Sequence, residues 1–263
     1  VFWLYFGVGL LVGPWIGGWI AEAFDLRAPL LLSGVLCLVP LGFAGAISAH
    51  HDAPLSITAS LRALGRRREV ASVWLLNEIH VMIFALFATF LPLYAATRGL
   101  RPSQIGMIFA AGSAAFTLAQ VPAGRILERI HPRALLAPLY LARGAAVAAV
   151  PLVGGFGGLL ALSLVSGVAG AAVPTALSSR MAAVAPRAEA VVAMGGFVAA
   201  ADVGFFVGPT IGGLLAGYGL AWPFLIALPV SVAAAIIIRA TLSPDWISSG
   251  GPERPHGPPR RSD

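Results

Sequence analysis

Lysine is absent from this 263-residue chain, cysteine occurs once, and charged residues of both signs make up only 11%. So little charge, set against 58% hydrophobic residues and a mean hydropathy of +0.88, excludes a water-soluble core wrapped in polar surface. The chain reads as an all-α integral membrane protein. Its lone Cys37 lies inside an apolar run, which excludes an intrachain disulfide and predicts a small residue packed in a core. The sequence holds no GxSxG, no HExxH, no Cys/His cluster and no phosphate loop. Asn77-Glu78-Ile79-His80 also lacks metal-ligand spacing. These absences argue against an intramembrane enzyme and imply no metal and no cofactor. Val1 already stands in a hydrophobic run without a Met, a basic segment or a cleavage site, so further sequence is expected upstream.

What is present is a series of apolar runs. Helical spans need about 20 mostly apolar residues. Eight runs qualify: Val1–Ala23, Pro29–Ser48, Ala71–Thr97, Pro102–Leu127, Ala134–Val153, Leu159–Leu177, Val191–Ala216 and Ala221–Ile238. A soluble protein with a net charge of +6 would suggest nucleic acid. Here, however, thirteen of the seventeen arginines fall on one side when loops are assigned alternately, among them Arg62, Arg66, Arg67, Arg68, Arg180 and Arg239. Arg27, Arg98 and Arg101 fall on the other side, and Arg143 lies within a span. By the positive-inside rule the thirteen are cytoplasmic, as is the C-terminus. The net charge therefore reports topology, with lipid as the partner. No aromatic residues interleave Arg66–Arg68, so no nucleic-acid surface is read there.

The runs contain a duplication. Gly9-x3-Gly13-Pro14-x2-Gly17-Gly18 returns 195 positions later as Gly204-x3-Gly208-Pro209-x2-Gly212-Gly213, and residues 8–21 match residues 203–216 at nine of fourteen sites. Glycines four apart share a helical face where a neighbouring backbone can approach closely, and a proline inside the helix predicts a bend.

Ionisable groups deep in a bilayer are costly and call for a cavity or a partner. Asn77, Glu78 and His80 lie in the third run, Gln120 in the fourth, Arg143 in the fifth and Asp202 in the seventh. At about 100° per residue, Asn77 and His80 stand about 60° apart, and Glu78 and His80 about 160° apart. Glu78 and His80 therefore cannot both face one cavity squarely. Glu78 and Asp202 are the candidate partners of Arg143, in either a structural ion pair or a transport site. Asp202 has Gly7 as its counterpart in the first copy, so it belongs to one copy only.

Between the second and third runs, Leu55, Ile57, Leu61 and Leu64 recur near helical spacing ahead of Arg66-Arg67-Arg68. They predict either a short amphipathic helix on the cytoplasmic leaflet or a solvated linker over residues 49–70. Ser103 is expected to cap the fourth run. That run leaves through Gly124 into a loop with Glu128 among Arg125, Arg129 and Arg133, either an ion-pair clamp or a topology signal. Residues 241–263 are rich in Pro, Gly and Ser and predict a disordered tail.

Together these residues resemble the major facilitator superfamily. The fifth-helix pattern of that family, G-x8-G-x3-G-P-x2-G-G, is met by Gly195, Gly204, Gly208, Pro209, Gly212 and Gly213; the upstream copy meets all but the first glycine. Gly124, Glu128, Arg129 and Arg133 resemble the family's G-x3-D-R-x-G-R-R loop, with Glu for Asp and with His131 and Pro132 at two departing positions. The resemblance implies a fold of two six-helix halves, of which eight of the twelve transmembrane helices are present. Residues 1–48 would close the first half, 49–70 would link the halves, and 71–240 would form the second half, with the four missing N-terminal helices as partner. It further implies a secondary transporter in the cell membrane, moving a small molecule with protons as the coupling ion. The downstream Asp-x-Gly-x3-Gly-Pro string is similar to that of drug or sugar efflux members, so export by antiport leads. Proton-coupled uptake, and a non-transporting eight-helix scaffold or sensor, are the alternatives. The implied proton-coupling or substrate residues are Glu78, Asp202, Arg143, Asn77, His80 and Gln120, and a carboxyl removed from water can exchange protons near neutral pH.

Overall fold

A computed structural model describes residues 2–44, 57–127 and 129–241. The described residues form helices only: α1 (Phe2–Ala23), α2 (Ala28–Ala44), α3 (Ile57–Gly65), α4 (Arg68–Thr97), α5 (Pro102–Leu127), α6 (Pro132–Ala148), α7 (Phe156–Val184), α8 (Ala190–Ala216), a single turn α9 (Trp222–Leu225) and α10 (Ala227–Thr241). Five segments are long and apolar enough to cross a membrane: α4, α5, α7, α8 with its leading turn, and α9 with α10. The other three predicted spans fall on α1, α2 and α6, of 22, 17 and 17 residues. The predicted tail and Glu128 lie outside the described residues.

α4 is the axis of the bundle, packed against α8, α10 and α7, while α5 packs between α7 and α1, and α6 lies against α10 and α7. Its long buried face, including Leu76, Ile83, Leu86 and Leu91, meets Leu136 and Tyr140 of α6, Leu177 of α7 and Phe224 of α9 in one core. Apolar surface gains little by exchanging lipid for protein, so close packing and polar clips must specify these contacts. Both are visible along α4. Trp74 Nε1 donates to Ala193 O (3.1 Å), Asn77 Nδ2 to Phe197 O (2.8 Å), and Tyr140 Oη to Leu76 O (2.6 Å). Prolines 14, 92, 122, 138, 174 and 209 all sit inside continuous helices, as membrane helices allow when neighbours re-satisfy the freed carbonyls.

Several sequence expectations are revised. Cys37 is exposed on α2 rather than packed in a core. Ser103 does not cap α5, because the helix already begins at Pro102; the Ser103 N–H donates to Glu22 Oε2 of α1 (3.2 Å) instead. Of the two readings of residues 49–70, α3 takes the helical one, but Leu64 is fully buried against the bundle and Leu61 packs beside it. Protein, and not lipid, covers that face. Arg180, assigned to a loop, sits buried near the end of α7, which continues to Val184; its Nη2 pairs with Glu69 Oε2 of α4 at 2.8 Å. An ion pair at the seam satisfies an arginine that hydropathy alone pushes out of the span.

The departures at His131 and Pro132 have a local explanation. His131 caps α6, its Nδ1 accepting from the Arg133 N–H at 3.2 Å, and Pro132 occupies the first helical turn where its missing donor costs nothing. Arg133 Nη2 donates to Arg239 O of α10. At the opposite end of α4, Gly99 adopts φ +76° and reverses the chain, with the Leu100 N–H returning to Ala95 O.

Candidate functional site

α4, α5, α6, α7 and α8 enclose a cavity of about 600 Å³. α4 presents Asn77, His80, Val81, Phe84 and Phe87 to it, at the 3–4-residue spacing of one helical face. α8 presents Met194, Phe197, Val198, Ala201, Asp202 and Phe205 at the same spacing, and α5 adds Phe109, Ser113 and Phe116. The wall is therefore mostly aromatic and aliphatic, interrupted by a few polar groups, as small-molecule pockets are.

Among these polar groups Arg143 and His80 meet directly. The Arg143 side chain is 5% exposed and enters from α6, where Tyr140, one turn earlier, is tied to the α4 backbone. Its Nη1 lies 2.8 Å from His80 Nδ1 and 3.1 Å from His80 Nε2, and its Cζ stands 6.0 Å from the centre of the Phe84 ring. Tyr140 meets the His80 ring edge-on at 6.3 Å. Gly170 of α7 leaves room for the guanidinium: a Cβ there would stand 3.0 Å from Nη1 and 3.2 Å from Cζ. Arg143 Nε is buried without a hydrogen-bond partner.

The expectation that Glu78 or Asp202 partners Arg143 is corrected, since its partner is His80. The reason is azimuthal. Arg143 reaches α4 on the cavity face, whereas Glu78 belongs to the side of α4 that packs on α8, where its carbonyl oxygen faces Gly204. The Glu78 side chain is half-buried and absent from the cavity wall. Asp202 is exposed and does line the cavity. Gln120 lies off the wall on α5, with its Nε2 buried and without a partner, one turn beyond a similarly placed Thr117 Oγ1. Of the six polar candidates, the fold thus brings Asn77, His80, Arg143 and Asp202 to one space.

Sequence reasoning missed the phenylalanines of the wall, although Phe84 and Phe87 stand at helical spacing from His80. Ser163 and Ser166 of α7 also face the cavity, and Ser163 Oγ donates to Ile108 O at 2.8 Å. Among the described residues no group of three His, Cys, Asp or Glu could hold a metal ion.

The downstream glycine string forms the back of this site. Gly204, Gly208 and Gly212 press α8 onto α4: a Cβ at Gly204 would stand 2.5 Å from Glu78 O, and one at Gly208 2.8 Å from Met82 O. Among the described residues, a Cβ at Gly195, at Gly213 or at Gly124 of the loop motif would meet nothing within 4 Å, and Arg129 is exposed.

A family model described as Major Facilitator Superfamily matches residues 73–262. The chain is 29% identical over 171 residues to an uncharacterized MFS-type transporter of Methanocaldococcus jannaschii, which covers 65% of this chain and 44% of that protein. It is 33% identical over 84 residues to multidrug resistance protein 2 of Bacillus subtilis, covering 30% of this chain and 21% of that protein. The matched stretches thus span less than half of either relative.

Proposed function

Because this chain belongs to the major facilitator superfamily, we propose that it forms the larger part of a proton-coupled antiporter that exports a small molecule such as a drug or sugar. The observation that carries this reading is the cavity of about 600 Å³ between five helices, with Asp202, His80 and Arg143 on a mostly apolar wall. Such a space can hold a small molecule, and a carboxyl beside it can exchange a proton with the same compartment. The similarity to a multidrug resistance protein supports export. The arginine distribution supports a multi-pass chain in the cell membrane with a cytoplasmic C-terminus.

In this reading residues 71–240 form the second six-helix half and α1 and α2 close the first, with four further helices completing the far wall of the cavity. Two halves rocking about a midplane site give alternating access. Asp202 is the first choice for the coupling residue, since it faces the cavity; Glu78, off the wall, is the second.

The test uses the full-length protein in proteoliposomes with an imposed pH gradient, following ethidium and 2-naphthoate. Proton-driven flux is expected in the parent protein, with Asp202→Asn abolishing it and Glu78→Gln reducing it less. Undiminished flux in the double variant would overturn the coupling assignment. Accumulation on the side that marks import would replace export by uptake.

A further inference from the structure

We infer that Arg143 anchors an anion subsite, and that the molecule held in the cavity is an amphipathic monoanion: a carboxylate on an aromatic or apolar body. This deepens the transport reading and rests on it only in taking the cavity as the cargo site.

The inference begins with an uncompensated charge. Arg143 is 5% exposed, and no ion pair joins it to an acidic side chain among the described residues. Its polar neighbour is an imidazole, which supplies no negative charge in any protonation state. Burying a cation without a counter-charge is unfavourable, so a site of this kind is completed by something that brings one. The side chain lines the cavity, and its Nε is buried without a hydrogen-bond partner.

The guanidinium is also held in place. Gly170 leaves the space that Nη1 and Cζ fill, and His80 secures Nη1 from α4. A positioned planar fork matches a carboxylate better than it matches a point charge.

The rest of the wall sets the body of the ligand. Phe84, Phe87, Phe109, Phe116, Phe197 and Phe205 face the same space, so an aromatic or aliphatic portion is accommodated beside the anionic end. Asp202 limits the charge. It lines the cavity without pairing to Arg143, so a second negative group on the ligand would meet a like charge. A singly charged carboxylate satisfies both conditions.

The test is a charge series on one scaffold. Binding of tritiated 2-naphthoate to the full-length protein in detergent is measured directly, with 2-naphthamide and 2-naphthylmethylammonium as competitors. The carboxylate is expected to bind about tenfold tighter than the neutral amide, as a charge-assisted hydrogen bond implies, and the ammonium most weakly. Arg143→Gln should bring the carboxylate down to the amide's affinity without changing the amide, and Arg143→Lys should retain part of the difference. The series on the unaltered protein needs no variant, and it decides the matter if Arg143→Gln does not fold. Equal binding of all three, no binding of any, preference for the ammonium, or a carboxylate preference that survives Arg143→Gln would each overturn the subsite. Arg143-dependent binding without flux in proteoliposomes would keep the subsite and remove the transport reading. Flux of the neutral or cationic probe without carboxylate preference would do the reverse.

Discussion

Helices α1 and α8 carry the same glycine-proline string, yet they press different glycines against their neighbours. In α8 the contact runs through Gly204, Gly208 and Gly212, four residues apart, and all three seat α8 on α4. Among the described residues, a Cβ at the equivalent Gly9 or Gly13 of α1 would meet nothing within 4 Å, and one at Gly17 would meet Pro29 at 3.9 Å. The close approach of α1 to α5 is at Gly18, where a Cβ would stand 2.7 Å from Pro102 O, and at Pro14 O, which would stand 2.5 Å from a Cβ on Gly106 of α5. The polar clips differ as well. The α4–α8 seam holds a part-buried hydrogen bond from Trp74 and a buried one from Asn77, whereas Glu22 of α1 reaches Ser103 and an exposed Arg101 at 3.9 Å. Among the described residues the repeated string thus packs closely through Gly204, Gly208 and Gly212 in one copy and through Gly18 in the other. The facing surfaces are Gly106 and Pro102 of α5 for α1 and the α4 backbone around Glu78 and Met82 for α8.

The contrast can be broken by substitution, with stability followed by denaturant titration of the protein in detergent. Gly208→Leu should have the largest effect, because the Met82 carbonyl is backbone and cannot swing aside: a loss of about 3 kcal/mol is expected. A tolerated leucine there would remove the close α4–α8 seam. Gly18→Leu should follow at about 2 kcal/mol, since Pro102 O belongs to the first turn of α5, where adjustment is easier. If Gly18→Leu cost nothing while Gly17→Leu did, the α1–α5 register would be wrong by one residue. Asn77→Val deletes the donor to Phe197 O and should cost about 1 to 2 kcal/mol; an unchanged midpoint would show that the carbonyl finds another donor. Gly13→Leu, where a Cβ meets none of the described residues, should stay within about 0.5 kcal/mol of the parent if no further element packs there. A loss as large as that of Gly208→Leu would place a further element against this face of α1.

Much of the fold was legible because the lipid environment simplifies the code. Long apolar runs, arginine-poor interiors and glycine-proline strings located each helix within a few residues. Boundaries slipped where a charged residue stays inside a helix: Arg180 extends α7 because Glu69 of α4 meets it, a pairing that no local pattern reveals. The site was legible in part. Helical periodicity separated Glu78 from His80 before any tertiary contact was known, and the cost of a buried charge singled out Arg143. What periodicity could not supply was the rotation of α6 against α4, and so the partner of Arg143 came out as an acid when it is His80. The apolar face of α3 was misread for a related reason. Amphipathicity says that one side must be covered, and protein can cover Leu64 as well as lipid can.

Composition, charge placement and the repeated string alone are enough to identify an all-helical membrane chain and its superfamily, because each is a property of segments taken one at a time. Tertiary structure alone decided which groups share the cavity, which glycines bear on a neighbour, and that Arg143 faces an imidazole with its Nε unpaired. The physical reason is that a helix carries its own angular order along the chain. Its rotation and register against another helix come from mutual packing, in which both surfaces take part.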